Sequence, residues 1–200
     1  MDSNNSKISS WQQTRMYTCG AAALMTALNE LNGYQMSEKE EIRIWWKIHP
    51  FYYLGSMPGL VGIFAKKQGL NVEIHYSPDN IKNLLKQLPF INRLMYKILL
   101  LMNRMYFFRA SLRGICSKKH DGYCDDISLI KDNLSSKKGC RILSVIQVED
   151  WEVHYVLFRL NSAGEIVVMD PATGRNYDLE DALDRGSEYR FTGIHIVLNS

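Results

Sequence analysis

The spacing of apolar residues changes partway along the chain. In "CGAAALMTALNELN", residues 19–32, Leu24, Leu28 and Leu31 fall at i, i+4 and i+7, the spacing of one buried helix face. Thr18 is placed to cap that helix, and Gly33 to end it in a left-handed conformation. Gly20, Ala21, Ala22 and Ala23 keep its first turn thin, so another element can pack closely against it. Ser37 with Glu40 forms a capping-box start for a second helix reaching about Lys47. "HPFYYLGSMPG" reads as a loop, Leu60 to Gln68 as a short helix ended by Gly69, and "NVEIHY" as a strand. Residues 79–113 are helix-forming and rich in Leu, Met, Lys and Arg, with a break at Pro89. "CSKKHDGYCDD" reads as a loop, and residues 126–136 as a further helix.

The last third has a different pattern. "CRILSVIQV", "HYVLFRL", "EIVVMD" and "RFTGIHIVL" are β-branched and aromatic runs separated by turn residues. "NSAG", residues 161–164, joins two of them as a hairpin. Helices followed by an antiparallel sheet predict an α+β fold, with a helical N-terminal half packed on a C-terminal antiparallel sheet. Two hundred residues, 46% of them hydrophobic, suit one domain over 1–200, with residues 1–10 loosely attached.

Charge changes the picture in one place. Residues 80–120 hold nine Lys/Arg and no acid, while residues 1–79 balance at seven of each. Residues 121–200 hold eight basic and fourteen acidic side chains, so the charge is segregated along the chain. The basic stretch predicts either a helical hairpin with its apolar face in the core, or a docking surface for an acidic protein or an anionic membrane. It carries no nucleic-acid motif, so nucleic acid is not an expected partner. "MDSNNSKISSWQQ" has no apolar core and is not a secretory signal, which predicts a cytoplasmic protein or one delivered to another cell without a signal peptide. "ILLLM", bracketed by Lys97 and Arg104, falls far short of the roughly 20 apolar residues that span a bilayer. The four cysteines read as reduced thiols.

The candidate chemistry joins the two halves. Cys19 opens a helix, where unpaired N–H groups and the helix dipole favour a thiolate. His154 begins one strand, sharing a face with Val156 and Phe158, and Asp170 ends the next, before Pro171. The hairpin between them sets His154 and Asp170 near one sheet edge. One ring nitrogen of His154 can then hold Asp170 while the other faces Cys19: a nucleophile, a base and a group orienting the base. Gln13, ahead of the helix, can join the backbone N–H of Cys19 in stabilising a developing oxyanion.

These residues carry a resemblance. Gln13 and Cys19-Gly20 in "QTRMYTCGAAAL", then "GSMPGLVGIFAKKQGL", then "HYVLFRLNSAGEIVVMDPATG" resemble the C39-like, bacteriocin-processing-type branch of the papain-like cysteine peptidases. The matches cover roughly residues 11–33, 55–76 and 126–175. The resemblance implies a papain-like fold, a Cys19/His154/Asp170 triad with Gln13 at the oxyanion, a peptide or protein substrate, and no cofactor or metal. It also favours Gln13 over its neighbour Gln12, through the six-residue offset from Cys19. Family members cut leader peptides after paired glycines, often as the front domain of an ABC exporter. No transporter segment follows here, and the basic insertion at about 78–122 departs from the pattern.

Four other readings stand beside the peptidase. The same thiol supports acyl transfer, transglutaminase-like chemistry or deamidation of a protein substrate. A C39-like fold can also serve only to bind a peptide, although such domains usually lose the thiol. Asp170 can simply start the "DPATG" turn, and a lone Cys19 can be a buried filler. Cys116, His120 and Cys124 are spaced four apart, but the glycine between them and the lack of a fourth ligand argue against zinc. His49, His75, His120 and His195 read as ordinary histidines.

Overall fold

The computed structural model describes residues 10–50, 55–87, 90–121, 125–147, 153–184 and 190–200. The first part of the chain forms helices α1 (Cys19–Asn32), α2 (Glu38–Ile48) and α3 (Pro58–Lys67), strand β1 (Asn71–Tyr76), helices α4 (Pro78–Gln87) and α5 (Phe90–Ser111), and strand β2 (Cys116–Lys119). The rest forms α6 (Asp126–Ser136), β3 (Arg141–Gln147), β4 (Val153–Leu160), β5 (Ile166–Asp170), β6 (Arg175–Asp178), α7 (Leu179–Asp184) and β7 (Arg190–Asn199).

The local signals account for most boundaries. Helix α1 ends at Gly33 with φ 72°, the left-handed stop expected there. Ser37 caps α2 by accepting the Glu40 N–H at 3.2 Å. Asn161 and Gly164 close the β4–β5 turn through Asn161 N–H to Glu165 O at 2.9 Å and Gly164 N–H to Asn161 O at 3.1 Å. The break expected at Pro89, the loop residues 51–54 and residues 1–9 lie outside the described residues.

The α+β class holds, with a correction to its layout. Seven strands form one mixed sheet in the order β2-β1-β7-β3-β4-β5-β6. Strands β1 and β2 come from the first 120 residues and pair in parallel, so the sheet is neither purely antiparallel nor confined to the C-terminal half. The physical reason is that β7 is a central strand whose two edges pair with β3 and with β1 over shared residues, and β1 then offers its other edge to β2. "CSKK", read as loop, is that edge strand, shielded from strand addition by its lysines.

Both faces of the sheet are covered. On one side, Leu24, Leu28, Ile44, Ile48 and Val61 of α1, α2 and α3 bury against Leu143, Tyr155, Leu157 and Ile196. On the other, Ile130 and Leu134 of α6 pack on Ile142, Phe158, Val168 and Val197. The second face also holds a buried polar chain: Ser144 Oγ lies 2.8 Å from His195 Nδ1, and His195 Nε2 lies 2.7 Å from Asp126 Oδ1. The Asn80 amide donates to Asp126 Oδ2 at 2.9 Å. These residues are a Ser, a His and an Asp bonded in series, but Ser144 is fully buried in mid-sheet, so the set ties α6 and α4 to the strands rather than meeting a substrate. Helix α1 is anchored at its far end by Glu30, which forms ion pairs with Arg141 of β3 and with the buried Arg159 of β4.

Candidate active site

The segment ahead of α1 is held from both sides. On one side it docks on the "DPATG" turn: Gln13 N–H donates to Pro171 O at 2.8 Å, Ser10 Oγ to Gly174 O at 2.7 Å, and the Gln12 amide to Ala172 O at 3.2 Å. A Cβ on Gly174 would sit 2.7 Å from Gln12 Cβ, and φ there is +66°, so only glycine lets the two strands of chain approach. On the other side lies Glu41, fully buried in the first turn of α2. It accepts from Trp11 Nε1 at 2.7 Å and from Thr14 N–H at 3.0 Å, and it bonds the Thr18 hydroxyl. One carboxylate thereby fixes residues 11, 14 and 18 around the path from Gln13 to Cys19.

Thr18 therefore plays a different part from the one expected. Its side chain makes no cap bond to α1; it turns back to Glu41 and to Arg15 O, 2.8 Å away. The strong acceptor is the buried carboxylate, which needs donors in a place water does not reach.

The thiol meets its partners at the first turn of α1. Gly20 is essential there: a Cβ would lie 2.6 Å from Ser56 Oγ and 3.2 Å from Tyr155 Cδ2. Tyr155 in turn donates its hydroxyl to Ser56 O at 2.8 Å, which fixes the 55–57 segment against β4. The start of α1 is thus pressed onto the start of β4, where His154 sits. His154 Nε2 lies 2.8 Å from Asp170 Oδ1, and the Cys19 side chain lies close enough to the ring to act on its charge. With Nε2 on the carboxylate, Nδ1 is the nitrogen left for the sulfur.

Asp170 serves both readings made for it. Its Oδ1 accepts Ala172 N–H at 2.8 Å as a turn residue does, and the same oxygen holds His154. Burial disfavours a charged His154, but the hydrogen bonds to Asp170 and Cys19, with the charges of both groups, outweigh it and raise the ring to about 10. A protonated imidazole beside the sulfur is the partner a thiolate nucleophile requires.

Gln13 and Gln12 are also told apart. Gln12 is exposed and its amide is engaged with Ala172 O. Gln13 is half-buried, and its Oε1 is buried without a hydrogen-bond partner among the described residues. The Gln13 backbone hangs from Pro171, next to Asp170. At Cys19 the backbone N–H precedes the first intrahelical bond, made by Ala22 to Thr18 O, and so belongs to the unpaired start of the helix.

The remaining candidates resolve elsewhere. Burial pushes the Cys140 thiol up to about 11, against Lys137 and Arg141, and leaves it inert. Cys116 is exposed on β2; Cys124 and Trp151 lie outside the described residues. His75 and His120, expected to lack partners, bond each other at 3.0 Å, and His75 also reaches Glu73 at 3.2 Å. Burial, opposed by Glu73, lowers His75 to about 4. No group of three or more His, Cys, Asp or Glu side chains gathers for a metal among the described residues. His195 has the two partners described above, and His49 is buried beside Trp45, with ring centroids 4.6 Å apart.

Glu41 is the functional-site residue that the sequence reading missed. The signal was there: positions 41, 44, 45 and 48 form the buried stripe of α2, and one of the four is a carboxylate. A charge on an apolar stripe asks for buried donors.

A thiol at a helix start, a histidine on a strand and an aspartate on the neighbouring strand define a papain-like arrangement. A family model described as Peptidase_C39 like family matches residues 8–184, and the chain belongs to that family. No match was found among curated proteins.

Two outcomes follow from the geometry. Because His154 is raised above its ordinary value near 6.5, its ion pair stabilises the fold fully below about pH 6.5 and loses that contribution as pH rises through about 10. The gap in Tm between the wild type and Asp170→Asn is therefore wide in mild acid and narrows through that window; thermal melts across pH read it. Glu41→Gln keeps the side-chain shape but sets an amide N–H against three donors. It slows the p-nitrophenol burst from p-nitrophenyl acetate by about 10²-fold, the cost of a misplaced nucleophile, while far-UV circular dichroism stays unchanged.

Proposed function

We propose that the chain is a cysteine peptidase that cleaves a peptide bond through a thioester on Cys19. The observation that carries this reading is the Asp170 contact at His154 Nε2, 2.8 Å, on a ring whose charge the neighbouring Cys19 also supports.

The steps follow from the charges. The Cys19 thiolate attacks the scissile carbonyl carbon, and the electron pair of the carbonyl moves onto oxygen. The Gln13 side-chain N–H and the Cys19 backbone N–H receive that oxyanion, as donors do in acyl transfer. His154, protonated and held by Asp170, gives its proton to the departing amine as the C–N bond breaks and the thioester forms. The neutral ring then takes a proton from water, whose oxygen attacks the thioester. The C–S bond breaks, the carboxylic acid product departs and gives its remaining proton to solvent, and the Cys19 thiolate and protonated His154 are restored.

Water is the acceptor in this scheme, and an amine in its place would make the enzyme an acyltransferase or transglutaminase on the same thiol. A side-chain amide substrate would make it a deamidase. The C39-like membership favours peptide hydrolysis. In the same reading Asp170 is a positioning residue, and its turn does the additional work of placing Gln13.

The test uses Cys19→Ala to trap bound peptide or protein, followed by incubation of the captured molecule with wild-type enzyme. Two fragments whose masses sum to the substrate plus water support hydrolysis. A one-dalton gain on an intact chain (about the mass change of amide to acid) or an adduct with an amine assigns the alternative reactions. On the cleaved substrate, Gln13→Ala lowers kcat by about 10²–10³. Gln12→Ala, which keeps the Cβ that packs on Gly174, leaves it within about threefold, the scale of an exposed hydrogen bond.

A further inference from the structure

Helix α5 has two apolar sides, and the fold uses one. Inward, Ala110 is fully buried and Phe107 packs on the main core, its ring centroid 5.4 Å from Tyr76. Outward, Ile98, Leu101, Met105, Phe108 and, one residue beyond the helix, Leu112 are exposed by 47, 62, 56, 65 and 71%. Leu112 N–H still bonds Phe108 O at 3.1 Å, so the helical path continues to it. The spacing is 3, 4, 3, 4, which at 3.6 residues per turn confines all five to an arc of roughly 80°. Lys97 and Arg104 border that row on one edge, and Arg109 and Arg113 on the other.

The charges around this row are distinctive. Lys82, Lys118 and Lys119, in the same basic stretch, pair with Asp79, Glu73 and Asp121. Among the described residues, none of the four cations bordering the row meets a carboxylate; Arg109 instead lies over the Tyr106 ring, 5.9 Å from its centroid. A row of large apolar side chains with unneutralised cations on both edges calls for a surface that is apolar in depth and anionic at its rim.

Two copies of the chain do not satisfy that demand. Facing rows would set Arg104 against Arg104 or Arg109 of the other copy, like charge against like. The row also offers roughly 500 Å² of apolar surface, the size of a functional patch on a soluble protein. That falls short of the ~800 Å² per partner of a stable protein interface. A lipid surface has no such threshold, because insertion of apolar side chains and attraction of each cation to anionic headgroups add together. No helix among the described residues is long and apolar enough to cross a bilayer, so the contact lies along the surface.

We infer that the outer side of α5 docks the protein on an anionic membrane surface. Leu101, Met105 and Phe108 enter the headgroup boundary, and Lys97, Arg104, Arg109 and Arg113 reach sideways to acidic lipid headgroups. The docking surface is separate from the Cys19 site, so it stands whether or not that site cleaves peptides.

The experiment is cosedimentation of the full chain with phosphatidylcholine vesicles, with and without about one-third phosphatidylserine. The expected result is binding to the mixed vesicles only, weakened by salt. Arg104→Ser with Arg113→Ser lowers partitioning about 25-fold, near fivefold per charge. Leu101→Glu with Phe108→Glu lowers it by ~10-fold or more. All four positions are exposed, so thermal melting and the p-nitrophenyl acetate burst stay unchanged in both variants. Absence of binding to the mixed vesicles overturns the inference, as does binding that survives both variants. A wild-type dimer in sedimentation velocity that Leu101→Glu with Phe108→Glu converts to monomer overturns it too, by assigning the row to a protein seam.

Discussion

His154 lies between the carboxylate of Asp170 and the sulfur of Cys19, and the placement of both partners is the constraint under which the rest of the chain is arranged. The carboxylate comes from the next strand of the same hairpin, so a short local turn suffices to hold Asp170 at 2.8 Å. The sulfur comes from more than a hundred residues away, and it needs a whole layer of structure. Helix α1 must lie on the sheet with its first turn at the start of β4, which the thin Cys19-Gly20-Ala21-Ala22 turn, the Ser56–Tyr155 contact and the Glu30 ion pairs together bring about. A charged imidazole is costly to bury, and its neighbours Asp170 and Cys19 offset that cost at His154.

The same economy governs the segment ahead of α1. Its backbone polar groups cannot join the sheet or the helix, so they are satisfied by the "DPATG" turn on one side and by Glu41 on the other. The turn that presents Asp170 to the ring therefore also positions Gln13. A single loop holds both the Asp170 carboxylate that meets His154 and the backbone of Gln13, and a displaced turn would disturb both.

Much of this was legible in the residues. Helical spacing located α1, and the alternating runs with "NSAG" located the β4–β5 hairpin, because those elements are built from local contacts whose spacing the sequence displays. Cys19, His154 and Asp170 stood out as candidates because they sit at element ends: a helix start, a strand start and a strand end before proline. The mixed sheet was not, since the pairing of β1 with β7 and of β2 with β1 joins residues far apart in sequence, and nothing local in "CSKK" encodes a parallel neighbour. Thr18 was read as a cap from its own type; the buried carboxylate that redirects it lies 23 residues away. The Ser144–His195–Asp126 chain was likewise assembled by tertiary packing from three histidine- or serine-bearing elements that looked ordinary alone. The outward row on α5 was visible as helical periodicity, but only the fold reveals that a different side of that helix supplies the core.

The central claim is that the ring at 154 keeps the sulfur at 19 reactive. The direct measurement is the rate of iodoacetamide alkylation at each cysteine near neutral pH, followed by peptide mass spectrometry, in the wild type and in His154→Ala. The account predicts that Cys19 is modified well before the buried Cys140 and that its advantage collapses when the ring is removed. Equal rates at Cys19 in the two proteins would show that the sulfur and the imidazole do not act on one another, and would contradict the account.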